Sequence, residues 1–81
     1  MTSVTLYGKP GCHLCEDARE VLLSVRLERE FELAEVDITL DPGLNHEYGE
    51  RVPVVAVDGV DAFDYSVDRQ ALEERLDRVT S

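Results

Sequence analysis

Two kinds of apolar segment alternate along the chain: short runs of β-branched and aromatic residues, and longer segments whose apolar positions recur every three or four residues. Val4-Thr5-Leu6-Tyr7 is of the first kind, ends at Gly8 and runs into Lys9-Pro10-Gly11, which predicts a short strand and a turn. From there the period changes. Cys12, Cys15, Ala18, Leu22 and Val25 are spaced by three and four, with Glu16, Asp17, Arg19 and Glu20 on the other faces, so an amphipathic helix is expected. Glu16 and Asp17 in its first turn and Arg26 and Arg29 near its end match the charge order that the helix dipole favours.

Residues 31–38 carry Phe31, Leu33, Ala34, Val36 and Ile38, a mixed pattern that predicts a second strand partly buried on both faces. Asp41-Pro42 supplies an N-cap and a first-turn proline and Gly49 a stop, so a short helix is expected over Pro42–Tyr48. A strand over 53–57 begins at its proline, and Asp58-Gly59 before Val60 is the strongest hairpin signal in the chain, which makes the next strand antiparallel. Ser66 or Asp68 can cap a last helix whose buried stripe is Val67, Ala71, Leu72, Leu76 and Val79. The order β-α-β-α-β-β-α implies an α/β domain, a four-stranded mixed sheet with helices on both faces, and nothing suggests a second domain within residues 1–81.

Composition narrows the class. At 81 residues, folding buries roughly 60% of the surface of the open chain, and 43% hydrophobic residues are too many for a disordered chain, so a thin-cored domain that folds alone as a monomer is expected. No apolar run approaches the ~18 residues needed to span a bilayer. Met1-Thr2-Ser3-Val4 also lacks the basic and apolar regions of a secretory signal, and a cytoplasmic location is the expectation. Eighteen acidic against eight basic residues give a formal charge of -10, which disfavours nucleic acid and anionic membrane surfaces and favours partners with a basic patch.

Cys12 and Cys15 are the chain's two cysteines. A bridge across so small a loop stabilises a fold little, so a structural staple is a poor explanation. Thiol–disulfide exchange instead needs one thiolate that attacks and a second thiol near enough to release the mixed disulfide. Residues i and i+3 share a helix face at about 5–6 Å, inside the Cα window of a disulfide. Cys12 falls at the expected helix start, where free N–H groups and the dipole favour a thiolate, and is assigned as nucleophile; Cys15, one turn deeper, is assigned the resolving role. Lys9 and His13 add positive charge nearby, and Glu16 and Asp17 oppose it. Two other readings stand beside this one: half a zinc site completed by His13 and His46, or two unreactive core cysteines in a binding module.

The stretch Tyr7-Gly8-Lys9-Pro10-Gly11-Cys12-His13-Leu14-Cys15 resembles the active-site segment of glutaredoxins and of short bacterial glutaredoxin-like proteins, and the resemblance extends over nearly the whole chain. It implies a thioredoxin-like fold and an enzyme that reduces protein disulfides, with no bound cofactor and with glutathione or thioredoxin reductase as external electron donor. By position, Lys9 takes the role of the lysine that supports the thiolate. Val52-Pro53 takes that of the cis-proline pair whose backbone binds the substrate thiol's chain. Leu14 and His13 depart from the aromatic and the proline that typical members carry within the motif, changes that alter redox poise. After the hairpin, glutathione-using members have a Gly-Gly pair where this chain reads Phe63-Asp64-Tyr65-Ser66. Asp64 is expected to repel the glutathione carboxylate and the side chains to block close backbone approach, so the resemblance implies the reaction more directly than it implies glutathione.

Overall fold

Alternation along the first strand decides the layering. In the computed structural model, which describes residues 2–80, β1 spans Ser3–Gly8, and its Val4 and Leu6 are buried on one face of the sheet. That face is covered by α1 (His13–Arg26) through Ala18, Leu22 and Val25, and by α3 (Arg69–Thr80) through Leu72 and Leu76. Tyr7 points to the opposite face, where it packs with Leu44 and Tyr48 of α2 (Pro42–Tyr48). Helices therefore cover both faces, as the element order implies.

The sheet has the order β2-β1-β3-β4, with β2 at Glu32–Asp37, β3 at Val54–Val57 and β4 at Val60–Asp64. β1 and β2 run parallel in register from Ser3 opposite Glu32 to Gly8 opposite Asp37, as a strand–helix–strand crossover requires. β3 runs antiparallel to both neighbours, and all four of its residues are buried. The β3–β4 turn has positive φ at both Asp58 and Gly59, the two-residue hairpin geometry that their sequence announces.

Four boundaries differ from expectation, each for a physical reason. α1 begins at His13, with Cys12 as its N-cap rather than its first residue. β2 is not buried on both faces: Glu32, Ala34 and Glu35 are exposed and Leu33 and Val36 half-buried, because this strand is an edge and has a neighbour on one side only. Phe31 and Ile38, both buried, flank it, and Ile38 opens a 3-10 turn through Leu40 capped by Asp37. β3 starts at Val54, since Pro53 has no N–H for the ladder; the Val52-Pro53 peptide is cis. Of the two caps proposed for α3, Asp68 acts: its carboxylate accepts from Gln70 N–H at 3.1 Å. Val67 and Ala71 are half-buried there, and the side chain of Val79 lies outside the described residues. Among the described residues no helix is long and apolar enough to cross a membrane.

Candidate functional site

β1 ends and α1 begins at one corner of the sheet, and the four residues between them set the geometry of the cysteines. Gly11 has φ +75°, a left-handed conformation that turns the chain into the helix and that a side chain resists. Cys12 follows in extended conformation (φ -95°, ψ 112°), and its sulfur caps the helix by accepting from Cys15 N–H at 3.3 Å. The sulfur thus faces the unpaired amide end of α1, where negative charge is favoured. Cys12 is part-exposed; Cys15, one turn deeper, is 8% exposed, and both are free thiols.

The two sulfurs are within hydrogen-bond reach of each other. Burial, together with the hydrogen bond its thiol donates to Cys12, pushes the Cys15 pKa from 9.0 up to about 11; the Lys9 backbone N–H and the Lys9 ammonium pull the other way. Lys9 therefore bears on Cys15 through backbone and charge alike. His13 is 96% exposed, with Nδ1 3.7 Å from Glu16 Oε2, so its ring faces solvent beside α1. Among the described residues no group of three or more His, Cys, Asp or Glu side chains comes together in a way that could hold a metal ion.

The structure brings Val52 and Pro53 to the cysteines from the other end of the sequence. Val52 is 7% exposed and clusters with Cys15 and Ile38, and Tyr7, Cys12, Leu44 and Tyr48 pack around them. Pro53 is fully buried beside it at the start of β3. The Val52 N–H donates to the Tyr48 carbonyl at 3.1 Å, so this amide is engaged within the chain.

Tyr48 and Arg51, which the sequence pattern did not single out, shape the same corner together with Tyr7 and Tyr65. Tyr7 and Tyr48 stack with ring centroids 4.7 Å apart. The Arg51 guanidinium lies 5.4 Å over the Tyr48 ring and reaches Asp61 at 3.5 Å and Asp64 at 3.7 Å. Tyr65 adopts φ +66°, rare for a residue with a side chain, within a tight turn closed by Ser66 N–H to Asp64 C=O at 2.8 Å. Its N–H donates to the Arg51 carbonyl at 3.2 Å, tying the end of β4 to the segment before Val52. Arg51 was visible only as the neighbour of Val52-Pro53. Asp64 therefore faces a cation, which weakens the charge repulsion expected of it, whereas the half-exposed Tyr65 side chain keeps its steric part.

On the other flank of the cysteines lies a cleft of 370 Å3. Gly8, Lys9, Gly11, Cys12 and Cys15 line it, and an ion pair between Arg19 of α1 and Glu35 of β2, 2.7 Å long, borders it.

Residues 3–77 match the glutaredoxin-like domain family (DUF836). The chain belongs to that family. Relatives in Mycobacterium tuberculosis and Mycobacterium bovis, both described as uncharacterized proteins, are 33% identical over 82 residues, covering 95% of this chain and 84% of theirs. Among solved structures, the structural-genomics protein XcR50 of X. campestris is 36% identical with a TM-score of 0.76, over 93% of this chain and 96% of that one. Protein Ne2328 of Nitrosomonas europaea is 28% identical with a TM-score of 0.80, over 91% and 89%. A thioredoxin mutant from Halobacterium salinarum, 20% identical, superposes with a TM-score of 0.75 over 99% of this chain and 75% of its own, a likeness of fold. The glutaredoxin-like family and the thioredoxin-like α/β fold are thus both established for this chain, with its two cysteines close together at the N-terminus of α1.

Proposed function

We propose that this glutaredoxin-like protein is a thiol–disulfide oxidoreductase that reduces disulfides on a protein partner through Cys12 and Cys15. The observation that carries the reading is the asymmetry of the pair: a part-exposed sulfur at a helix N-cap, hydrogen-bonded to a buried thiol one turn below. In the first step the Cys12 thiolate attacks one sulfur of the partner's disulfide; a mixed disulfide forms and the partner's other sulfur leaves as a thiolate, which takes up a proton. Cys15 then loses its proton and attacks Cys12 Sγ. The Cys12–Cys15 bond forms, the bond from Cys12 to the partner breaks, and the electron pair leaves with the partner's sulfur. Two electrons have passed to the partner, and an external donor must restore the dithiol.

Val52, packed against the cysteines, and Pro53, next to it in the chain, are the backbone on which the partner's chain is positioned; with the Val52 N–H committed to Tyr48, that pairing falls to the Val52 carbonyl. Lys9 favours the thiolate form of the resolving cysteine, and His13 stands at the solvent rim of the approach to Cys12.

Substitution separates the two roles. Cys12→Ser is expected to abolish reduction of a protein disulfide such as insulin, and Cys15→Ser to retain the first step and accumulate a mixed disulfide visible by mass spectrometry. Retained reductase activity in Cys12→Ser, or no trapped adduct with Cys15→Ser, overturns the reading. For the donor, we favour a flavin-dependent thioredoxin reductase over glutathione, because Tyr65 occupies with a side chain the turn where close approach of a tripeptide backbone calls for glycine. Coupled assays with each donor are expected to give slow turnover with glutathione; a glutathione-dependent rate equal to that with the reductase refutes this choice.

A further inference from the structure

Gly8, the last residue of β1, sits directly against the resolving thiol. A Cβ built on Gly8 falls 3.2 Å from Cys15 Sγ and 3.3 Å from Cys15 Cβ, tighter than ordinary van der Waals contact. The residue lies in a strand, paired with Asp37 of β2, and is not among the positive-φ glycines, so its backbone conformation is one that any residue adopts. What calls for glycine here is space. The neighbours of Cys15 Sγ leave it little alternative: the Lys9 N–H donates to it from the residue after Gly8, and its thiol donates to Cys12. Neither backbone can easily retreat, since β1 is held between β2 and β3, and the Cys15 amide is bonded to Cys12 Sγ in the first turn of α1.

We propose that Gly8 is a positioning residue for resolution: the missing side chain at the end of β1 is the clearance that holds Cys15 Sγ directed at Cys12. This rests on the dithiol reading above. In the resolving step the Cys15 S–H proton leaves, the Cys15–Cys12 bond forms as the Cys12–partner bond breaks, and the partner's sulfur departs with the electron pair; the attack requires Cys15 Sγ in line with the breaking bond. A side chain at position 8 turns the Cys15 sulfur away from that line, whereas Cys12, on the solvent side of the pair, keeps its own approach.

The test follows Gly8→Ala and Gly8→Val through two separate measurements: alkylation of Cys12 by iodoacetamide, and the lifetime of the mixed disulfide in a single turnover with an oxidised protein substrate. Gly8→Val is expected to alter Cys12 alkylation by less than about tenfold, the effect of losing the one hydrogen bond from Cys15, and to lengthen the mixed-disulfide lifetime about a hundredfold, the loss that a misplacement of about 1 Å produces. Gly8→Ala, whose methyl asks Cys15 to give by a few tenths of an ångström, is expected to fall between this variant and the parent. Resolution at the parent rate in Gly8→Val, or a fall in Cys12 alkylation that parallels the fall in resolution, overturns the proposal. If circular dichroism shows Gly8→Val unfolded, Gly8→Ala decides alone: slowed resolution supports the proposal and the parent rate sinks it. A parent protein that forms no mixed disulfide at all brings down the dithiol reading and this proposal together, an outcome distinct from either result with the variants.

Discussion

Cys12 and Cys15, one helical turn apart, meet different surroundings, and the difference has a consequence for stability that requires no substrate. The folded protein holds the Cys15 thiol up at about 11, above its ordinary 9.0, first because the site is buried and then because the thiol donates to Cys12. A raised pKa means that the fold favours the protonated form. The resulting stabilisation is complete below pH 9 and is lost as pH rises from 9 through about 11, with an upper limit of about 3 kcal/mol at 1.36 kcal/mol per pH unit. Tyr48, also raised from 10.0 by burial and then by Asp61, contributes in the same direction above pH 10. With the thiols kept reduced, the urea midpoint is therefore expected to fall between pH 9 and 11. Cys15→Ala flattens that slope, and Tyr48→Phe flattens only its upper part; equal slopes in Cys15→Ala and its parent contradict the assignment. The two cysteines were legible because their spacing, the glycine turn before them and the helical period after them are all local. Gly8 and Arg51 were not: Gly8 matters through a sulfur on the next element and Arg51 through carboxylates of β4, while for Tyr65 the side chain was legible and its left-handed backbone was not.

Between residue and fold, α2 is the α-helix with least to hold it. Its seven residues include none that is fully buried, and a helix so short is marginal by itself. Two features anchor it: the packing of Leu44 and Tyr48 against the cysteine cluster, and the Asp41 carboxylate, which accepts from Gly43 N–H at 2.8 Å and Leu44 N–H at 3.3 Å. Asp41→Ala should cost about 1 kcal/mol in urea unfolding, and Asp41→Ser should restore most of it. The Tyr48 carbonyl holds Val52, so the same change should also quicken hydrogen exchange at the Val52 amide. An unchanged midpoint with unchanged exchange argues that packing alone keeps α2 in place. Caps, hairpin turn and helical stripes were readable because each is written within a few residues. The exposure of β2 was not, because being an edge depends on the sheet order β2-β1-β3-β4, and the apolar pattern of residues 31–38 is compatible with a central strand too.

At the scale of the molecule, charge is the property that pattern and packing leave unspent. Much of the positive charge is paired on the surface: Arg19 with Glu35, Arg29 with Asp77, Arg51 with Asp61 and Asp64, and Arg69 with Glu28 and Glu73. Exposed pairs of this kind add little stability, but they leave a formal excess of ten negative charges to act on whatever approaches Cys12. Lys9, the one lysine of the sequence, acts on Cys15 by its charge. Encounter, rather than the exchange step, is where that field operates. With two synthetic disulfide peptides matched except for flanking lysines or flanking glutamates, the second-order rate of reduction should fall with added salt for the basic peptide and rise for the acidic one. The two rates should converge as the screening length drops below about 8 Å above physiological ionic strength. Stopped-flow measurement from low to high salt checks this directly. Identical salt slopes for the two peptides imply that the acidic surface is remote from the approach to Cys12 and takes no part in choosing among disulfides for the proposed reaction.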